Sequence, residues 1–351
     1  MPADVAVIIA VHDPARPIER AVASVLDSDS VSRVIVVCHN VEADVIGQRL
    51  GAFVGEARVL LTEHLDDIRS PAGPFNHGLD IVTEEFASVM GSDDTVAPGA
   101  IDVWRRVARD TGADAVIAPL RHVGGPRVPT PPTVRRRALR GARDRLPFRT
   151  APLGLISTQR FGALRFTEGL ATGEDLAFST RLWFSRARIS TAPAPAYYLI
   201  HDDAERVTFS RRPLREDLRA VTLLMEEPWA RSLSSTDRRA IAVKLWRVNL
   251  FGAVHYRAGK WDVADRHAAR EIAREISAFS PESVDVLSRA EGRLRVALLD
   301  DRRSDAQIDE LSRLRRRFFS ADALIPVRPL SAFSHDAPLR FSMMTWWAGR
   351  G

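Results

Sequence analysis

A chain of 351 residues, 45% hydrophobic and 27% charged, is long enough for one large domain with an appendage or for two domains, and its composition excludes a disordered protein. No stretch approaches the roughly 20 apolar residues of a membrane span, the start MPADVAVIIAVHDP lacks the basic region of a signal peptide, and the single Cys38 excludes an intrachain disulfide and a cysteine-based zinc site. The net charge of +5 is unevenly placed: residues 121–150 carry nine Arg against one Asp, in a Pro- and Gly-containing stretch that reads as a loop.

In chain order, VAVIIAV (5–11) is a continuous β-branched run, the signature of a strand covered on both faces. PIERAVASVLDS (17–28) has helical spacing, RVIVVCHN (33–40) and RVLLTEH (58–64) read as further strands, and NHGLDIVTEEF (76–86) reads as a helix. FASVMGSDD returns as a strand, followed by a helix over 98–111 and a strand over 114–120. This rhythm predicts a mostly parallel sheet between helices. From Leu214 on, the segments starting at 214, 236, 262 and 305 have helical spacing with Arg on their polar faces, and predict a helical C-terminal region. Such helices either pack on the sheet region or lie on an anionic membrane. The tail over 324–351 is Pro-rich and then apolar-aromatic, ending in Trp346-Trp347; it suits docking on its own chain, on a partner or at a lipid headgroup layer.

In a parallel α/β sheet, ligands sit outside the carboxyl ends of the strands. His12-Asp13, Cys38-His39-Asn40 and Ser92-Asp93-Asp94 all fall just past such ends, so three polar clusters converge on one edge. Taken singly, each has an ordinary explanation: Asp93 and Asp94 suit a turn, and Glu174 and Asp175 suit a helix start. There is no GxGxxG after the first strand and no GxxxxGK[ST], which removes the main support for dinucleotide and P-loop sites.

The ordered set of segments resembles family 2 glycosyltransferases. AVHD (Ala10 to Asp13) stands at the family's P-V-Y-N position, FNHG (Phe75 to Gly78) at R-N-x-G, and MGSDD at D-x-D-D. TGEDLAFSTRLW (172–183) matches E-D-x-x-L-x-x-R-L, and YYLIHDD (197–203) matches the strand that supplies a late histidine. The likeness covers about residues 4–212. It implies a GT-A, Rossmann-like, mostly parallel sheet with helices on both faces over 1–212, followed by a mainly α-helical region over 213–320 and the tail over 321–351.

The resemblance implies a metal-dependent, inverting transfer of a sugar from a nucleoside-diphosphate donor, UDP first among the candidates, to a glycan or lipid-linked acceptor. Asp93 and His201 would hold Mn²⁺ or Mg²⁺, hard cations that prefer oxygen ligands and offset charge on a leaving diphosphate. Asp175 would take the proton of the attacking hydroxyl, with Glu174 beside it. Val11, His12, Asp13, Asn40, Asn76, Ser92 and Asp94 would line the donor site. Arg135, Arg136 and Arg137 would attract an anionic acceptor. Nucleic acid is not expected as a partner, because the Arg block lacks an interleaved series of aromatic residues, with Phe148 its one phenyl ring. The protein is expected in the cytoplasm, with a peripheral contact at the inner membrane face as one reading.

Two departures stand out: Gly91 replaces the first acid of D-x-D, and VVCHN has no Asp where the family has V-D-D-G-S. Two other functions therefore stay open. One is a catalytically silent GT-A-like domain that binds a nucleotide or a partner; the other is a nucleotidyl or polyol-phosphate transferase.

Overall fold

The computed structural model describes residues 3–201 and 212–350. The apolar runs become strands β1 (Val5–Val11), β2 (Val31–His39), β3 (Val59–His64) and β4 (Phe86–Gly91), followed by the shorter β5 (Thr95–Val96), β6 (Ala115–Ile117), β7 (Leu120–His122), β8 (Arg127–Val128), β9 (Gly154–Ser157), β10 (Ile189–Thr191) and β11 (Tyr198–Ile200). Seven of them form one sheet in the order β10-β6-β9-β4-β1-β2-β3. β1 lies parallel to β2 and β4, with Ile8 opposite Ile35 and Val89, and β2 lies parallel to β3. All its strands are parallel except β9, which runs antiparallel between β4 and β6.

Helices cover both faces, as the doubly buried strands require. On one side α1 (Ile18–Leu26) buries Ile18, Ala21, Val22 and Val25, and α4 (Ala100–Thr111) buries Trp104; between them in the chain come α2 (Ala43–Leu50) and α3 (Ala72–Ile81). The other face packs on α3, the short α5 (Thr158–Phe161) and α6 (Asp175–Trp183), with Phe178, Leu182 and Trp183 inward. α3 approaches β1 so closely that a Cβ on Gly78 would lie 2.4 Å from Ile8, which accounts for the glycine of the FNHG segment. α3 spans 72–81 rather than the 76–86 read from spacing. The chain leaves the helix at Val82, whose backbone is extended, because Phe86 must enter β4 as a buried residue. The strand expected over 114–120 is divided into β6 and β7 around Pro119, which has no N–H to donate to a ladder.

A small second sheet, β5-β11-β7-β8, positions the late histidine. Tyr198 of β11 pairs with Val96 of β5, so the residue just past β11, His201, arrives beside the turn that follows β4.

The C-terminal region is helical, as expected, with segments at Leu214–Asp217, Arg219–Glu226, Ser235–Lys244, Phe251–Tyr256, Val263–Phe279, Arg289–Leu299 and Asp305–Arg315. Their apolar faces form one core that also takes in Leu170 and Leu176, from the loop and helix carrying Glu174-Asp175. The tail ends in a helix, Pro338–Arg350, held against the sheet region by Phe341 on Phe148, with ring centroids 4.5 Å apart. No helix among the described residues is long and apolar enough to cross a membrane.

Candidate active site

Two clusters arise from the residues singled out in the sequence. The first gathers at the carboxyl ends of β1, β2 and β4. His12 follows Val11, the buried last residue of β1. Its imidazole is held below the ordinary value by desolvation and then by Arg16, and it lies within electrostatic reach of Asp13, His39 and Asp93. Residues from two other strand ends therefore lie near enough to His12 to influence its charge. Asp13 accepts the Ala15 N–H at 2.8 Å and so shapes the turn that launches Arg16.

Asp93 is partly buried, and its Oδ2 sits 2.5 Å from Arg16 Nη1. Arg20 Nη2 donates to the Asp93 carbonyl at 2.8 Å. Asp94 points elsewhere: its Oδ2 accepts the Tyr198 hydroxyl at 2.7 Å and its Oδ1 accepts the His201 N–H at 3.1 Å. The His201 ring bonds Thr95 Oγ1 through Nε2 at 3.0 Å. Ser92 is buried within the turn. Asp94 thus fixes the turn to β11 and brings His201 to it. The residues matching the rest of the late-histidine segment, Asp202 and Asp203, lie outside the described residues.

Among the described residues no three His, Cys, Asp or Glu side chains are gathered as a metal-holding group. The donor set fits a cation held jointly with a diphosphate, since Mg²⁺-like ions are commonly held by one or two protein ligands plus phosphate oxygens and water. A Cβ added at Gly91 would lie 3.1 Å from Asp93 Oδ1 and 3.4 Å from Asp94 Oδ2, so the two carboxylates crowd this position and an acid could replace the glycine only if they shifted.

Around Asn40 the structure brings in a residue that was not singled out. Asn40, with φ 55°, accepts the Asp66 N–H through Oδ1 at 3.0 Å. The buried His39 bonds Asp66 Oδ1 through Nε2 at 2.8 Å, and His64 bonds Asp66 Oδ2 at 3.1 Å. Burial works to raise the Asp66 carboxyl, but the hydrogen bonds from His39, the Ile68 N–H and His64 outweigh it and hold the group below its ordinary value. Asp66 thus supplies a carboxylate beside the β2 turn, where the CHN segment lacks one. It too falls just past a strand end, so the rule that identified the other clusters would have found it.

Asn76 sits apart from these contacts. Its amide accepts the Phe166 N–H at 2.8 Å and donates to the Phe166 carbonyl and Glu168 Oε1, tying α3 to the loop before Glu174.

The second cluster is Glu174-Asp175. Gly173, with φ +78°, turns the chain into α6, and a Cβ there would lie 2.9 Å from Ala220 of the helical region. Glu174 is pushed up to about 7, by burial first and then by Asp175. Burial also raises Asp175, and the opposing influence is the ammonium of Lys244. Lys244 is 1% exposed, its Nζ has no hydrogen-bond partner, and burial lowers it to about 8 against the attraction of Asp175. Sequence reasoning missed this residue, although it is one of two lysines in an Arg-rich chain. Arg181 lies over the Trp229 ring, 5.8 Å from its centroid.

The Arg block is not a uniform solvated loop. Arg145 and Arg149 are buried, the latter donating to the Ala118 and Leu153 carbonyls. The buried Asp144 organises the rest: it accepts from Thr133 and the Arg140 N–H and pairs with Arg135 at 3.4 Å and Arg143 at 3.5 Å. Arg135 and Arg136 line a cleft, while Arg137 is exposed outside it.

Among solved structures, S. aureus TarS 1–349 in complex with UDP-GlcNAc superposes with a TM-score of 0.74 at 18% identity, covering 90% of this chain and 92% of that one. The chain has the GT-A fold. The TarS 1–349 complex with UDP gives a TM-score of 0.70 at 18% identity over 89% of this chain and 92% of that chain. The GT-A sheet and the helical region after it are thus both matched. In sequence, 115 residues are 34% identical to the succinoglycan biosynthesis protein ExoO of Rhizobium meliloti (strain 1021), covering 33% of this chain and 32% of that protein, so the match spans about a third of that relative's length. No protein-family model matches the chain.

Proposed function

We propose that this GT-A chain is an inverting glycosyltransferase that moves a sugar from a uridine-diphosphate donor to a hydroxyl of an anionic cell-envelope glycan. The observation that carries the reading is that His39 and Asp93, from two other strand ends, lie within electrostatic reach of His12 at one edge of the sheet, in a fold whose neighbour TarS was crystallised with UDP-GlcNAc. The partial match to a succinoglycan biosynthesis protein supports a glycan product.

In this reading Asp66, braced by His39 and Asn40, accepts from the base of the nucleotide and does the work of the absent β2 aspartate. Arg16 and Arg20 place cationic donors beside the diphosphate. Asp93 and His201 would hold the divalent cation, which supplies Lewis-acid charge at the diphosphate when bound. Asp175 accepts the proton of the acceptor hydroxyl as it attacks from the face opposite the leaving group, and Lys244 opposes the rise that burial gives this carboxyl, favouring its ionised form. Glu174, near half-protonated at neutral pH, is suited to donate a hydrogen bond to the incoming sugar.

A second reading, a silent nucleotide-binding domain, draws on Gly91 and on the Arg16–Asp93 ion pair, which already neutralises the carboxylate assigned to the metal. Calorimetry of a nucleoside-diphosphate panel with and without Mn²⁺, followed by product analysis with UDP-sugars, separates the readings. Metal-enhanced UDP binding with release of UDP supports transfer. UDP binding without turnover supports the silent domain, and release of a sugar 1-phosphate from the UDP-sugar would indicate nucleotidyl transfer.

A further inference from the structure

Two features of the sequence have no part in the site described above: the Arg block and the Trp tail. The fold brings them together. The carboxyl ends of β6 and β10, the stretch from Arg127 to Arg136 and the C-terminal helix enclose a cleft of about 410 Å³. Its walls carry Arg127, Arg135, Arg136 and Arg350 together with Trp346 and Trp347, and among the described residues no Asp or Glu lines it. We propose that this cleft binds a phosphate-bearing saccharide chain, sugar rings resting on the indoles and phosphates on the guanidinium groups.

The indoles are presented, not buried. Trp346 and Trp347 are 50% and 55% exposed, although their helix is docked through Phe341 and the buried Ala348. They meet edge to face with centroids 5.8 Å apart, and Arg350 stacks 3.6 Å from the Trp346 centroid, so two aromatic surfaces stand at an angle with a cation fixed on one. Arg127 Nε is buried with no hydrogen-bond partner, a donor whose desolvation is uncompensated until an acceptor arrives. Arg135 shares its charge with Asp144; Arg136 is anchored to β10 through its carbonyl, which accepts the Thr191 N–H at 2.9 Å and leaves the side chain to the cleft.

This combination selects the occupant. Guanidinium groups pair bidentately with phosphate, and the apolar faces of pyranose rings match indoles. A lipid bilayer presents a broad flat surface and cannot enter a concave cleft of this size. The location also argues for a substrate-related chain. β4 and β6 point the same way across the antiparallel β9, so the cleft opens on the sheet edge that also carries Asp93. Calling the occupant the acceptor rests on the proposed sugar transfer; the binding itself does not.

The test is calorimetry on the full chain, without nucleotide, using a phosphorylated oligosaccharide and its dephosphorylated form, with an RNA oligonucleotide and anionic lipid vesicles as competitors. The expected result is binding of the phosphorylated form alone, weakened by about tenfold or more in Trp346→Ala/Trp347→Ala and in Arg135→Ser/Arg136→Ser. The Arg variant should also lose salt dependence, and Trp347→Phe should restore part of the affinity. Circular dichroism checks that the variants fold, and Arg137→Ser, outside the cleft, should bind as wild type. No binding of the phosphorylated form, equal binding of the dephosphorylated form, undiminished binding by the folded variants, or preference for RNA or vesicles would overturn the proposal. Binding of the phosphorylated chain by a protein that transfers no sugar would sink the transferase reading and leave the cleft standing.

Discussion

Lys244 of the helical region is the countercharge of Asp175 at the head of α6: each shifts the other, and the amine has no hydrogen-bond partner. The helix that presents Lys244 passes directly into a π-helical turn over Leu245–Leu250, a local irregularity often found at functional positions. A carboxylate base works when ionised, so its rate rises with pH through its pKa. Removing the neighbouring cation raises that pKa. Lys244→Met should therefore move the acidic limb of the kcat/KM profile up by about one pH unit, a loss of about tenfold on that limb, with recovery at high pH. Recovery separates the charge effect from damaged packing. A lower but unshifted profile would contradict it.

Asp93 and Asp94 are adjacent yet predict opposite phenotypes. Asp94→Ala strips the acceptor from the buried Tyr198 hydroxyl and from the His201 N–H. An unsatisfied buried donor costs about 1–3 kcal/mol, so urea unfolding should show a loss of that size. Asp93→Ala removes only a partly exposed pair with Arg16 and should change stability by less than about 1 kcal/mol, while abolishing the Mn²⁺ enhancement of UDP binding. Equal stability losses in the two variants would count against this division of roles.

The parallel sheet was legible because doubly buried strands must be continuous β-branched runs, and Val5–Val11 and Val31–His39 are such runs. The antiparallel β9 was not. It is four residues long, follows the Arg block, and is admitted between its neighbours only because Gly154 takes φ 135° where a Cβ would strike the Val116 carbonyl at 2.0 Å. At the site, strand-end residues such as His12 and Asp93 could be found from sequence, since topology alone brings them together. Lys244 could not, because its meeting with Asp175 depends on how the helical core packs around Leu176. The tail was ambiguous for the same reason: Phe341 gains meaning only from Phe148 opposite.

Asp66 makes a prediction about donor choice. His39, His64 and Asn40 fix its carboxylate and the backbone that carries it, so it is pre-oriented to accept from a base N–H. Asp66→Asn keeps the size but loses the charge. A hydrogen bond to a charged group contributes about 1.5–3 kcal/mol, so UDP affinity should fall about tenfold or more. Preference for UDP over CDP should shrink, while the fold increase produced by Mn²⁺ stays constant. If UDP and CDP affinities fell together, Asp66 would be a scaffold residue only.

Glu174 carries a stability cost that depends on pH. Its folded value is about 7 against an ordinary 4.5, because burial and Asp175 disfavour the charge. The folded state therefore holds a proton that the unfolded state has released between those values, and stability falls as pH rises through this window. The cost is absent below about pH 4.5 and complete above about pH 7. A shift of this size corresponds to about 3 kcal/mol, and partial solvent access reduces the expected effect to about 2 kcal/mol. Glu174→Gln keeps the shape and removes the charge. It should unfold like wild type at pH 4 and be more stable by about 2 kcal/mol at pH 8, while transferring sugar more slowly. That combination is what a carboxylate kept for function at the expense of stability requires. Denaturant midpoints measured across the pH range decide it: a stability difference that did not grow with pH would mean that Glu174 titrates normally.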